Sequence, residues 1–296
     1  MDQHTSLALR VSWVSLIGNV LLAAGKLLAG VLAQSGAMVS DAAHSFSDVC
    51  STVVVMIGVR AASRDEDKEH PFGHERMECV AAIVLSVMLL FTGLLIGVGG
   101  VRKLLGGAGQ IAVPGTAALV AAVVSILVKE GMFRYTRHYA RALHSGALMA
   151  DAWHHRSDAL SSVGALIGIA GARLGVRVLE PIASLVICLM IGKAAVEIFL
   201  DAMRKMVDHS ADGETEQAVR CCAAAVDGVT RVDSLRTRVF GSRLYVELEI
   251  AVDGALTLDE AHAIAEGVHD DVEKAFPRVK HIMVHVNPDE GAGKRE

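Results

Sequence analysis

Two short stretches carry side chains suited to holding a cation. Residues 150–158 read A-D-A-W-H-H-R-S-D, and residues 41–48 read D-A-A-H-S-F-S-D. Both fit the frame D-A-x-H-x-x-S-D, and each begins a long apolar run. Positions i, i+3 and i+7 share one face of a helix, so Asp151, His154 and Asp158 align, as do Asp41, His44 and Asp48. Two such helices face to face present His44, Asp48, His154 and Asp158 to one point. Two imidazole nitrogens and two carboxylate oxygens make an ordinary tetrahedral zinc shell, with bonds of about 2.0–2.2 Å. An aspartate at mid-span costs about 2.5–3.5 kcal/mol on insertion scales, so two facing carboxylates call for a compensating partner. The plainer alternative is a polar seam of interhelical hydrogen bonds; the repetition of the frame favours the cation. Asp41 and Asp151, a turn before the histidines, are expected either to accept from the imidazoles and fix their tautomer or to face water at a cavity mouth. His155 points about a third of a turn away and reads as a neighbour.

A second concentration of ligand types is Asp67-Lys68-Glu69-His70-Pro71-Phe72-Gly73-His74. Pro71 and Gly73 favour a turn that draws His70 and His74 together, with Asp67 close by. The alternative is a polar surface loop. The spacing is not H-E-x-x-H and gives no support for a metalloprotease.

The elements that must position these residues are apolar. The chain has 296 residues, 52% of them hydrophobic and only 4% aromatic, which predicts a multi-span membrane protein. Six segments approach the length of a span, about 9–33, 37–62, 76–104, 111–133, 145–174 and 178–206. Arg60, Arg64, Lys68 and Arg76 cluster around the second connection, and Lys129, Arg134, Arg137 and Arg141 around the fourth. Positive charge marks these as cytoplasmic, which places both termini in the cytoplasm. Lys26 is expected to snorkel toward the far surface, and Lys129 to pair locally near a cytoplasmic helix end. The net charge of −5 argues against nucleic acid as a partner. Cys50, Cys79, Cys188, Cys221 and Cys222 read as reduced small hydrophobes. No pattern of a cleavable signal precedes the first run.

After residue 206 the pattern changes. Residues 214–227 read as a helix, 229–239 and 244–252 as strands joined at Phe240-Gly241-Ser242, 257–276 as an amphipathic helix and 280–286 as a last strand. The order α-β-β-α-β suits a small helix-on-sheet layer of ferredoxin-like type. The expected domains are a helical transmembrane domain over 1–207, a cytoplasmic α+β domain over 208–290 and a frayed tail over 291–296.

The paired H-x-x-x-D motifs, the H-P-F-G-H-E-R-x-E loop and the α-β-β-α-β tail together resemble the cation diffusion facilitator family of divalent-metal/proton antiporters. The resemblance covers nearly the whole chain. It implies a transport site of His44, Asp48, His154 and Asp158, and a loop site of Asp67, His70 and His74. It implies a homodimer whose tails bind metal at positions matched here by Asp233, Glu247, His262 and His285. Asp233 and Glu247 stand where some members have histidines, and Asn287 where some have an acid. It also implies a charge interlock between Arg76 and Asp208.

The expected function is proton-coupled efflux of a divalent transition metal, zinc first and Fe(II) or Mn(II) as alternatives. Zn2+ serves as substrate and bound ion, and protons serve as counter-ion. The setting is the lipid bilayer of the cell (inner) membrane. A membrane-embedded metal sensor or scaffold is the rival, separable only by flux. An intramembrane metalloenzyme is disfavoured, because four protein ligands leave no open position for catalytic water.

Overall fold

The computed structural model describes residues 3–32, 36–105, 116–173 and 178–289. Six long helices come first: α1 (Gln3–Leu32), α2 (Gly36–Ala62), α3 (Arg76–Leu105), α4 (Thr116–Ala142), α5 (Gly146–Arg173) and α6 (Leu179–Met206). They are followed by α7 (Gly213–Ala224), β1 (Arg231–Phe240), β2 (Arg243–Asp253), α8 (Leu258–Ala275) and β3 (Val279–Asp289). The chain divides into two compact units, Met1–Met203 and Arg204–Glu296.

In the first unit α2 packs on α1, α3 and α5, and α4 packs on α1 and α5. Its polarity is inverted relative to a water-soluble bundle. Ile17, Leu21, Phe91, Leu95, Leu127 and Leu189 are among many large apolar side chains exposed on the outside. Buried within are Ser15, Asn19, Asp48, Thr52, Lys129 and Asp151. Apolar faces turned outward suit lipid, and a polar interior suits a solute. Two described helices are apolar enough on their own to cross a bilayer, over Thr5–Leu28 and Arg76–Arg102. α2, α4 and α5 carry the buried ionised groups that dilute their apolar character. Small residues on α3 permit close helix contact: a methyl added at Gly93 would meet Ile191 Cγ2 of α6 at 3.0 Å.

Helix α4 departs from the expected fourth span. Residues 134–142 continue the helix rather than forming a connection. Arg134 reaches back one turn to Glu130 at 2.9 Å, an i, i+4 pair that keeps the charged stretch helical.

In the second unit the sheet order is β1-β2-β3, with β1 antiparallel to β2 and β2 parallel to β3. Leu244, Val246, Leu248, Ile250 and Val252 alternate along β2 and are all buried, packed with Val219 and Ala223 of α7 and Val268 and Val272 of α8. Both helices start on designed-in caps. The Asp212 side chain accepts from Thr215 N at 2.8 Å, and Thr257 and Glu260 form a reciprocal capping box. This is the predicted α+β layer, with its elements in the expected order.

Candidate metal centre

The centre forms where α2, α4 and α5 meet α1. Asp48 of α2 and His154 and Asp158 of α5 each offer a ligand atom within 4.8 Å of the others, and all three are buried. The i, i+4 spacing of His154 and Asp158 stacks them on one face of α5, as the sequence predicts. His154 Nε2 lies 3.4 Å from Asp48 Oδ1, and neither atom has a hydrogen-bond partner among the described residues. A buried carboxylate oxygen and imidazole nitrogen left unbonded and facing each other are suited to a cation. The side chains of His44 and Asp41 lie outside the described residues.

The second oxygens of the carboxylates are taken. Lys129 Nζ donates to Asp48 Oδ2 at 2.7 Å, to Asp158 Oδ2 at 2.8 Å and to Asn19 Oδ1 at 2.9 Å. This overturns the expectation that Lys129 pairs locally near a helix end. Because α4 runs on to Ala142, Lys129 stands at its midpoint, as far from Thr116 as from Ala142, and is only 2% exposed. Its neighbour Glu130 points the other way and is held by Arg156 at 2.5 Å, whose guanidinium lies over the Phe133 ring. The sequence held a signal for Lys129: a lysine in a run that is apolar over 117–124, 126–128 and 131–133 is costly unless paired. Asn19 gave no comparable signal, since a single amide in an apolar run has many uses.

Asp151 does not face water, as one expectation had it, and is fully buried. Nor is the imidazole it faces that of His154. Asp151 Oδ2 lies 3.5 Å from His155 Nε2, because residues four apart stack on the helix, and Oδ1 accepts from Thr52 at 3.3 Å. Asn19 donates to Thr52 at 3.1 Å, so Lys129, Asn19, Thr52 and Asp151 form one continuous polar chain. Lys26 does not snorkel: it is buried, with Nζ bonded to Ser45 Oγ at 2.9 Å.

The second cluster is in the connection after α2. Asp67 Oδ1 is 3.3 Å from His70 Nδ1, and Asp67 Oδ2 is 3.4 Å from His74 Nε2. The two imidazole centroids are 4.5 Å apart. Gly73 adopts φ 87°, the left-handed region that Gly enters without a Cβ clash, and its N–H bonds His70 O at 3.0 Å. That turn folds His74 back over His70. Backbone N–H groups of His70 and Glu69 donate to Asp67 at 2.7 and 2.9 Å and hold its carboxyl below the ordinary carboxylate range. All three residues can supply ligand atoms to a single ion.

A family model for the cation efflux transmembrane domain matches residues 12–207, and one for the cation efflux protein cytoplasmic domain matches residues 211–289. The chain belongs to the cation diffusion facilitator family. Metal tolerance protein C1 of Arabidopsis thaliana is 35% identical over 288 residues, which cover 93% of this chain and 61% of that protein. The uncharacterized transporter MJ0449 of Methanocaldococcus jannaschii is 34% identical over 274 residues, covering 93% of this chain and 96% of that one. The manganese efflux system protein MneP of Bacillus subtilis is 27% identical over 294 residues, covering 97% and 98%. As a cation diffusion facilitator the chain is a membrane protein of metal-cation efflux, a transporter rather than an enzyme, and a homodimer.

The tail positions matched by family resemblance do not converge within one protomer. Asp233, at the irregularity in β1, is bonded by Arg231 at 2.5 Å and Asn287 at 3.0 Å; the Asn287 amide and then Arg231 hold its carboxyl below the usual range. Glu247 of β2 accepts from Arg238 at 2.6 Å. His285 of β3 stands opposite Glu249 in the register, while His262 lies on α8 beside Glu266 at 3.5 Å. Glu247 and His285 alternate with the buried residues of their strands and so occupy the sheet face away from Leu248 and Val284. Arg76 opens α3 in the first unit, and Asp208, with φ 59°, belongs to the second.

Proposed function

We propose that this cation diffusion facilitator exports a divalent transition metal from the cytoplasm in exchange for protons, with zinc the first substrate. The observation that carries the reading is the buried set of Asp48, His154 and Asp158, with Asp48 Oδ1 and His154 Nε2 facing each other unbonded. His44, on the same motif frame, is the fourth ligand. Imidazole ligands favour zinc over magnesium, which wants six oxygens in an octahedron. A histidine must be neutral and a carboxylate ionised to ligate, so loading releases protons and protons reoccupy the ligands on the far side. Movement between inward- and outward-open states then carries the ion across. The six helices are six spans, with both termini in the cytoplasm of the cell (inner) membrane. The loop set Asp67, His70 and His74 binds a second ion. Asp233, Glu247, His262 and His285 gather metal only across the homodimer, and Arg76 and Asp208 form a charge interlock.

The test is zinc uptake into liposomes containing the purified protein. Asp158→Ala leaves an incomplete shell around a dication and abolishes flux while the dimer survives. Undiminished flux from that variant overturns the assignment. A second reading, with manganese as the physiological substrate, is supported by the likeness to the manganese efflux protein MneP. Flux measured with zinc and manganese side by side separates the two.

A further inference from the structure

The Lys129 ammonium bridges the two carboxylates of the proposed transport site, and the efflux reaction as stated gives it no part. It bonds one oxygen of each of the two carboxylates and leaves Asp48 Oδ1 and His154 Nε2 open. It reaches them from α4, a helix that supplies none of the metal ligands. We propose that Lys129 is a tethered counter-cation that balances the two carboxylates of the transport site when no metal is bound and must be displaced, at least from Asp158, for a divalent metal to bind. The inference rests on the reading of Asp48, His154 and Asp158 as the transport site.

Charge and geometry support this role. Two ionised carboxylates facing each other in a buried setting repel and lack bulk solvent, so without metal they need another positive charge. A fixed hydrophobic residue cannot supply it, whereas a lysine can. Its four-carbon stem lets the ammonium move while its charge stays. Asn19 Oδ1, at 2.9 Å, gives the ammonium a third acceptor besides the two carboxylates, and Asn19 is anchored in turn by Thr52. Asp48 Oδ2 can keep its bond to Lys129 while Oδ1 turns to the metal, so the release that matters is from Asp158. Lys129 remains charged throughout; the step is an exchange of one cation for another at a shared carboxylate. Such a competitor lowers metal affinity and stabilises the carrier when no metal is bound, which favours release of the metal.

The experiment compares the purified full-length protein with Lys129→Met and Lys129→Arg, measuring zinc affinity by calorimetry and thermal unfolding with and without zinc. Lys129→Met removes the competing charge at nearly constant volume, and zinc binds about tenfold tighter or more. Without zinc this variant unfolds at a lower temperature than wild type. Its zinc-induced rise in Tm is larger, because ligand stabilisation grows with [L]/Kd. Lys129→Arg retains the charge and keeps the affinity near or below that of wild type. Zinc binding to Lys129→Met that is unchanged or weaker overturns the proposal. So does an unchanged zinc-induced rise in Tm, since a purely structural lysine lowers both unfolding temperatures equally. Combining Lys129→Met with Asp158→Ala separates this failure from failure of the site itself. If Asp158→Ala alone leaves every zinc-binding step intact, the site reading is wrong; if it removes the core-site step and Lys129→Met alone does not tighten that step, only the role of Lys129 is.

Discussion

The proposed transport site turns on a handful of atoms. Asp48 and His154 present an unbonded oxygen and nitrogen 3.4 Å apart, and Asp158 completes the set. The two histidine positions should set selectivity. Replacing both His44 and His154 with Asp makes the shell all-oxygen, which suits manganese better than zinc. The double variant is expected to admit manganese and to lose the part of the pH dependence that comes from imidazole deprotonation. Zinc and manganese flux measured from pH 6 to 8 checks both outcomes; an unchanged metal preference would show that the histidines do not select. The i, i+4 spacing that places His154 with Asp158 was legible in the chain. That Asp151 meets His155 followed from the same spacing but was obscured by the pull of the motif toward His154.

At the scale of elements, helix ends follow local chemistry. Asp212 caps α7 through Thr215 N, and the Thr215 N–H and hydroxyl hold its carboxyl below the ordinary range. A folded-state value below the unfolded one means that the ionised cap stabilises the helix above about pH 4 and loses that contribution as pH falls through its folded value. Asp212→Ala should destabilise the tail by about 1 kcal/mol at neutral pH. Hydrogen exchange over residues 213–224, compared between variant and wild type, should show faster exchange in the variant at pH 7 and a difference that narrows as pH falls through the folded value of Asp212. The extent of α4 was not legible in the same way. Arg134, Arg137 and Arg141 resemble a connection by composition. They are helical because Glu130 pairs one turn back and because charged side chains at the end of a membrane helix can reach water.

For the whole molecule, the division of labour between the two units is chemical. The first turns apolar side chains outward and polar ones inward; the second has a conventional apolar core between one sheet face and two helices. The open sheet face carries Glu247 and His285, and their proposed role requires the second protomer. With the core site silenced by Asp158→Ala, zinc titrated into the full-length dimer should still bind at the tail and loop sites. Adding His285→Ala should remove the tail portion of that binding. An identical titration with and without His285 would count against metal at the tail interface.

Hydrophobic content, charge bias and repeated spacing are local properties, and they were enough to foresee apolar helices, an α+β tail and the meeting of Asp48 with His154 and Asp158. They also foresaw the loop cluster, because Pro71 and Gly73 constrain the intervening backbone directly. What required the tertiary structure was the partner of the paired carboxylates. Lys129 lies 81 residues from Asp48 and 29 from Asp158 along the chain, and Asn19 lies 110 residues from Lys129. No periodicity links such positions. Only the packing of α4 against α1 and α5 brings an ammonium to the carboxylates, and their burial away from bulk water makes that contact the decisive one.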